Sequence, residues 1–276
     1  MGNQSTSISP TESIRDLLDG NITLHKCSCE EVATHLSIVV ILASHVASGD
    51  IVVTKQQNKD LVQAADVIVK MLDDITAGNI SDPGILLVQE KALQALIRLF
   101  VIPQYAKKTF EHVVHSIMAC TNTSSVNVFT LAFVAFFNGF RFIDEESSVI
   151  SGFRQGMSEE ASRNSVCLQL DKMGIYPRLM HFLTQTSARE DDNMILTSIL
   201  ICRFLSYTLT RTSHVTSTLR LKLRMILLQH QDTLFELTRH KSSSLGDMAV
   251  NLLVLLLRLE EPTTCLTLQV LPLPHI

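Results

Sequence analysis

The 276-residue chain reads as an all-α fold. Three observations predict it. Gly (10) and Pro (7) are scarce, so breakers are few and long helices are favoured over short strands and tight turns. Apolar residues make up 46% of the chain and recur at three- and four-residue spacing. Helix start and stop signals punctuate the chain repeatedly, and no segment shows the strand–helix alternation of a parallel sheet. With charged residues at only 18%, the chain is too apolar to stay disordered.

The elements follow in order. Ser9-Pro10-Thr11-Glu12 places Ser at N-cap, Pro at the first helical position and Glu at the third, a capping box. Ile14, Leu17 and Leu18 share a face, and Gly20 can end the helix in the left-handed conformation. Ser28-Cys29-Glu30-Glu31 is a second capping box, leading through Val32, Leu36, Val39 and Ala43 to Gly49. Residues 58–78 form an amphipathic pattern ending at Gly78. Asp82-Pro83 starts the next helix, which Pro103 stops. "YAKKTFEHVVHSIMACT" and the almost wholly apolar "SVNVFTLAFVAFFNGF" follow. A Gly-interrupted link, 147–156, precedes the acidic start Ser158-Glu159-Glu160. Later come "RLMHFLTQ", "NMILTSILICRFLSYTL", one helical run over 216–240 and "SLGDMAVNLLVLLLRLE". The total is roughly ten helices. "STLRLKLRM" (217–225) also alternates with period two and could be a strand, though its neighbours are helical and it has no partner strand.

Several of these helices are apolar nearly all round, which requires burial between neighbours or in a membrane. The longest stretch without Asp, Glu, Lys or Arg, His112–Phe140, is broken by "TNTSSVN". Its later piece, Val126–Phe140, carries Asn127 and Asn138 and falls short of the ~20 apolar residues a span needs. Arg203 sits in the middle of the 194–209 run. Burial between helices is the reading that follows. The alternative is an integral membrane protein that uses helices near 126–140 and 194–209.

In "NSVCLQLDKMGIYPRLMHFLTQ" (164–185), Gly174, Ile175, Pro177, Leu179, Phe182 and Leu183 make a junction of helix-ending Gly, apolar residue, Pro and a new apolar face. Gly174 can end one helix, and Pro177 fits the first turn of the next, where its missing N–H costs nothing. This junction resembles an armadillo-type repeat. "SSLGDMAVNLLVLLLRLE", with Ala249 allowing close packing, and "QEKALQALIRLF" are similar to helices of such repeats. The resemblance covers residues 30–260 without a strict period. It implies a right-handed α-solenoid of armadillo/HEAT-like helical repeats that binds protein partners along its surface. It brings no catalytic residues. Of the Asn ladder that many armadillo proteins use on peptides, only Asn251 has a counterpart, so that binding mode is not carried over. A compact all-α bundle remains the other arrangement.

The resulting organisation is a flexible N-terminal segment (1–8), a helical domain (9–260) with a subdivision near 144–158, and an irregular tail (261–276). The tail loses the helical pattern and the charges, which leaves the last helix exposed where a solenoid normally carries a polar cap. We read this as an atypical or shortened end.

Residue chemistry points away from catalysis. There is no phosphate-binding loop, dinucleotide fingerprint or H-E-x-x-H, and the ten His are scattered. The acidic runs Asp144-Glu145-Glu146 and Glu190-Asp191-Asp192 are explained as helix starts, where the dipole favours carboxylates. His25, Cys27 and Cys29 lack the second ligand pair of a zinc site and read as loop residues. Neither cofactor nor small-molecule substrate is expected. A net charge of −4 argues against nucleic acid as a partner. The scattered Cys and the polar N-terminus predict a cytoplasmic protein, and the N-x-[ST] triplets are read as chance.

Two features point to a membrane surface. From 203 to 241 there are seven basic residues, Arg203, Arg211, Arg220, Lys222, Arg224, Arg239 and Lys241, against two acidic ones. That local surplus suits an acidic partner or anionic lipid, although a solvated helix face is the plainer reading. Met1-Gly2-Asn3-Gln4-Ser5-Thr6 fits the N-myristoylation pattern. One myristoyl chain binds with a constant of only about 10⁴ M⁻¹, so a second contact is needed. No basic cluster lies beside Gly2. The second contact would come from acylation of Cys27 or Cys29, from the 203–241 surface, or from a membrane-bound partner. The sequence therefore predicts a non-catalytic scaffold, reversibly peripheral on the cytoplasmic face of a membrane.

Overall fold

The structure, a computed structural model, describes residues 10–52, 54–78, 84–102, 110, 113–145, 156–187, 191–211 and 217–258. Among the described residues there are twelve helices and no strand. They are α1 (Pro10–Leu18), α2 (Cys29–Ser48), α3 (Lys55–Thr76), α4 (Ile85–Leu99), α5 (113–119) and α6 (Val126–Glu145). Then come α7 (Gly156–Lys172), α8 (Ile175–Ser187), α9 (Asp192–Arg211), α10 (Ser217–Gln229), α11 (Gln231–Thr238) and α12 (Ser243–Arg258).

Local chemistry sets most boundaries. Ser28 Oγ accepts from the Glu31 amide at 3.2 Å and starts α2, and Gly49 (φ 81°) ends it in the left-handed conformation. Gly174 (φ 66°) separates α7 from α8, with Pro177 in the first turn of α8. Asp191 caps α9 through its carboxylate and the Met194 amide (3.0 Å). Four expectations are corrected. First, α3 begins earlier than the 58–78 pattern, because Thr54 and Gln57 form a capping box. Second, the 216–240 run is two helices, broken at His230 (φ −111°, ψ 23°). Third, 217–225 is helical, so the strand alternative falls. Fourth, Asp144 and Glu145 end α6 rather than starting a helix, so the dipole does not explain them. Ser9, Asp82, Pro83 and Pro103, most of the link near 144–158, and the segments 1–8 and 261–276 lie outside the described residues.

The packing is ordered along the chain. α2 packs on α4, α4 on α6, α6 on α9 and α9 on α12, giving a row of five helices. The remaining helices pack beside the row. α1 lies on α2 and α3, and α3 on α4. α7 lies on α6 and α8; α8 meets α9, α10 and α11; α11 meets α12.

The core is aliphatic with an aromatic centre. Phe204 of α9 stands edge-on to Phe136 and Phe140 of α6, with centroids 5.1 and 5.2 Å away. Phe129 of α6 stacks on Phe182 of α8 at 4.4 Å. Such contacts add specificity to the burial of large apolar area. The two Asn of α6 bond to α4. Asn127 Nδ2 donates to Glu90 Oε1 (2.6 Å) and Asn138 Nδ2 to the Ile97 carbonyl (3.4 Å). Inside the core, Ser198 Oγ donates to Thr186 Oγ1 at 2.9 Å, so α9 meets α8 through satisfied polar atoms as well as apolar ones.

Candidate interaction surface

Four helices of the row, α2, α4, α9 and α12, expose large apolar side chains. These are Ile41 on α2, Leu86 and Leu87 on α4, Leu196 on α9, and Val250 and Leu257 on α12. On α12, Val250 and Leu257 are exposed and Val254 is half-buried, Leu253 packs partly against the core, and Ala249, Leu252 and Leu256 are buried. Asn251 is also exposed. Large contiguous exposed apolar patches mark binding surfaces, whereas single exposed apolar residues are ordinary.

The seven basic residues are spread over α9, α10 and the α11–α12 junction. Arg203 is exposed on α9, Arg239 and Lys241 are exposed between α11 and α12, and Arg220 and Arg224 are half-buried on α10. Lys222 is held by Asp171 of α7, Nζ to Oδ1 2.7 Å. The Arg211 side chain lies outside the described residues. Beside Lys222, α10 exposes Leu221 and Met225, and α11 exposes Phe235.

The N-terminal sites divide. Gly2 lies outside the described residues. Cys27 is half-buried, and its thiol donates to the Asn21 carbonyl at 3.4 Å. Cys29 is the first residue of α2 and is buried, so an acyl chain there would require α2 to open. Among the described residues no His, Cys, Asp or Glu cluster could hold a metal ion. Burial pushes the Cys120 thiol up to about 11 and Cys202 up to about 12, the opposite of an activated nucleophile.

Among the described residues, two helices, α2 and α9, are long and apolar enough to cross a membrane by length and composition, a test that the core helices of soluble proteins also pass. Both pack within the row, and α9 buries Thr197, Ser198 and Thr208 against its neighbours. The Val126–Phe140 piece is shorter.

Sequence reading overlooked Arg178. It follows Pro177 in α8 and lines two adjoining grooves with Asn122 and Thr123. The only local signal was a basic residue in the first turn of a helix, where cations are disfavoured by the dipole. Compared with family models, curated proteins and solved structures, the chain matches none.

Proposed function

We propose that the chain is a non-catalytic helical-repeat scaffold, a right-handed α-solenoid of armadillo/HEAT-like type, that binds protein partners along its central helix row. The row α2–α4–α6–α9–α12 carries this reading, because stacked helices with exposed apolar residues offer an extended surface. N-myristoylation of Gly2 supplies a weak, reversible tether to the cytoplasmic face of a membrane, and the bound partner or the basic residues of 203–241 supply the second contact.

Proximity labelling with wild type and Gly2→Ala tests both parts. The expected result is a partner set that survives in Gly2→Ala while the membrane-pelleted fraction falls. Unchanged membrane association in Gly2→Ala removes the acyl tether. Retention in the pellet after alkaline carbonate supports the alternative, an integral membrane protein that uses helices near 126–140 and 194–209. Absence of any reproducible partner removes the scaffold reading.

A further inference from the structure

Two open grooves meet at Arg178. The first, about 670 Å³, runs from the loop 121–125 across Val126 and Phe129 to Phe182, His181 and Gln185 of α8. The second, about 960 Å³, runs from the same loop to the last turn of α3 and to Gln89, His115 and Ser116. Asn122, Thr123 and Arg178 line both. Residues of five helices therefore line this two-part channel, and Arg178 is common to both parts.

The charge at that junction is unbalanced. Arg178 is half-buried, and Nη1 reaches only the Thr121 hydroxyl, at 3.5 Å. Among the described residues no carboxylate lies within ion-pair distance of it, whereas Lys222 is paired with Asp171. Asp73 lines the outer end of the second arm. A half-buried guanidinium with one side-chain hydrogen bond keeps donors that an oxyanion from outside can take. Guanidinium is the group best shaped to take a carboxylate or phosphoryl group with two parallel hydrogen bonds. The walls add hydroxyls from Thr123, Ser124 and Ser125 and the imidazole of His181, whose Nε2 lies 3.0 Å from Gln185 Nε2. The stacked Phe129–Phe182 pair forms an apolar floor beside them, rimmed by Val126 and Pro177.

We infer that this channel is a recognition site for an extended segment of a partner protein that presents an oxyanion side chain to Arg178, with an apolar neighbour over Phe129 and Phe182. Two open grooves that share Arg178 suit a chain segment better than an enclosed small molecule. The oxyanion is a carboxylate or a phosphoryl group, and Arg178 serves either. The site rests on the scaffold reading and gives it a position and a partner chemistry.

The test uses the full chain and three fluorescent peptide pools. Each pool has randomised flanks and an apolar residue two positions from a central phosphoserine, glutamate or serine. Polarisation should show the phosphoserine or glutamate pool binding about tenfold or more tighter than the serine pool. The stronger of the two identifies the oxyanion. Arg178→Gln should lose that preference with an unchanged circular dichroism spectrum, Arg178→Lys should retain part of it, and Arg15→Gln, on an exposed face of α1 away from both grooves, should behave as wild type. Equal binding by wild type and Arg178→Gln overturns the proposal, as does a failure of every oxyanion pool to bind. Inorganic phosphate competing as tightly as peptide overturns the peptide occupant, and so does Arg178-dependent binding to phosphatidylserine vesicles without peptide binding. Each of these failures leaves the proximity-labelled partners of the whole chain intact. Failure of the scaffold reading removes those partners.

Discussion

The ring of Phe110 lies against the backbone of Gly139, in the space that a Cβ at position 139 would fill. Phe110 has little room to retreat. It stands edge-on to Phe100 at 5.9 Å and tilts against Phe136 at 5.8 Å. Gly139→Ala should therefore destabilise the fold by about 1–3 kcal/mol, the usual cost of overpacking. Better helix propensity returns only about 1 kcal/mol. Urea denaturation of the single variant and of Gly139→Ala with Phe110→Leu measures it. The double variant should recover part of the loss, because the two positions share one contact. A Gly139→Ala protein as stable as wild type would mean the ring is not held there.

Phe204 is the hub between α6, α8 and α9. Besides its edge contacts to Phe136 and Phe140, it lies parallel to Tyr176 at 6.3 Å. Truncation to Ala removes a fully buried ring from the centre of the core. The expected cost is about 3–5 kcal/mol. Phe235→Ala, on an exposed ring of α11, should stay within about 0.5 kcal/mol. Similar thermal midpoints for the two variants would contradict this packing.

Gly174 is left-handed (φ 66°), with open space where its Cβ would go. The barrier to substitution is thus conformational rather than steric crowding. Gly174→Ala should cost about 1–2 kcal/mol, and Gly174→Asn should cost less, since Asn tolerates this region. If Ala and Asn are equally harmless in chemical denaturation, the α7–α8 junction does not depend on the left-handed turn.

These positions show where the sequence was readable. Ser28 with Gly49, and Gly174 with Pro177, act through their own backbone, so residue type alone located the ends of α2 and the start of α8. The start of α3 was missed because its first turn, Lys55 to Lys59, has no apolar residue to reveal a period, and Leu61 is the first buried one. The break at His230 carries neither Gly nor Pro. It follows from tertiary packing, in which α10 lies on α8 and α9 while α11 lies on α8 and α12. The row of five helices was legible only as apolar stretches that needed neighbours. The Arg178 channel was not legible, because its walls come from α3, α4, α5, α6 and α8, far apart in sequence.

Buried thiols and Tyr176 make stability depend on alkaline pH. Burial pushes Cys120 up to about 11 and Cys202 up to about 12, from an ordinary value of 9.0, and raises the Tyr176 phenol well above 10. In each case the unfolded chain loses its proton first. The neutral group therefore contributes stability that is complete below about pH 9 and is lost as pH rises through the folded values, toward 11 and 12. The urea midpoint should be flat between pH 7 and 8.5 and then fall. Cys202→Ala should show a shallower fall across pH 9–11, whatever its stability at pH 7. At pH 8, burial leaves a far smaller thiolate fraction at Cys120 and Cys202 than an ordinary thiol has. Iodoacetamide should thus modify half-buried Cys27 well before either, and both should react only when urea is added. Mass spectrometry of the digested protein reads the order directly, and early labelling of Cys202 would show that α9 is open to solvent.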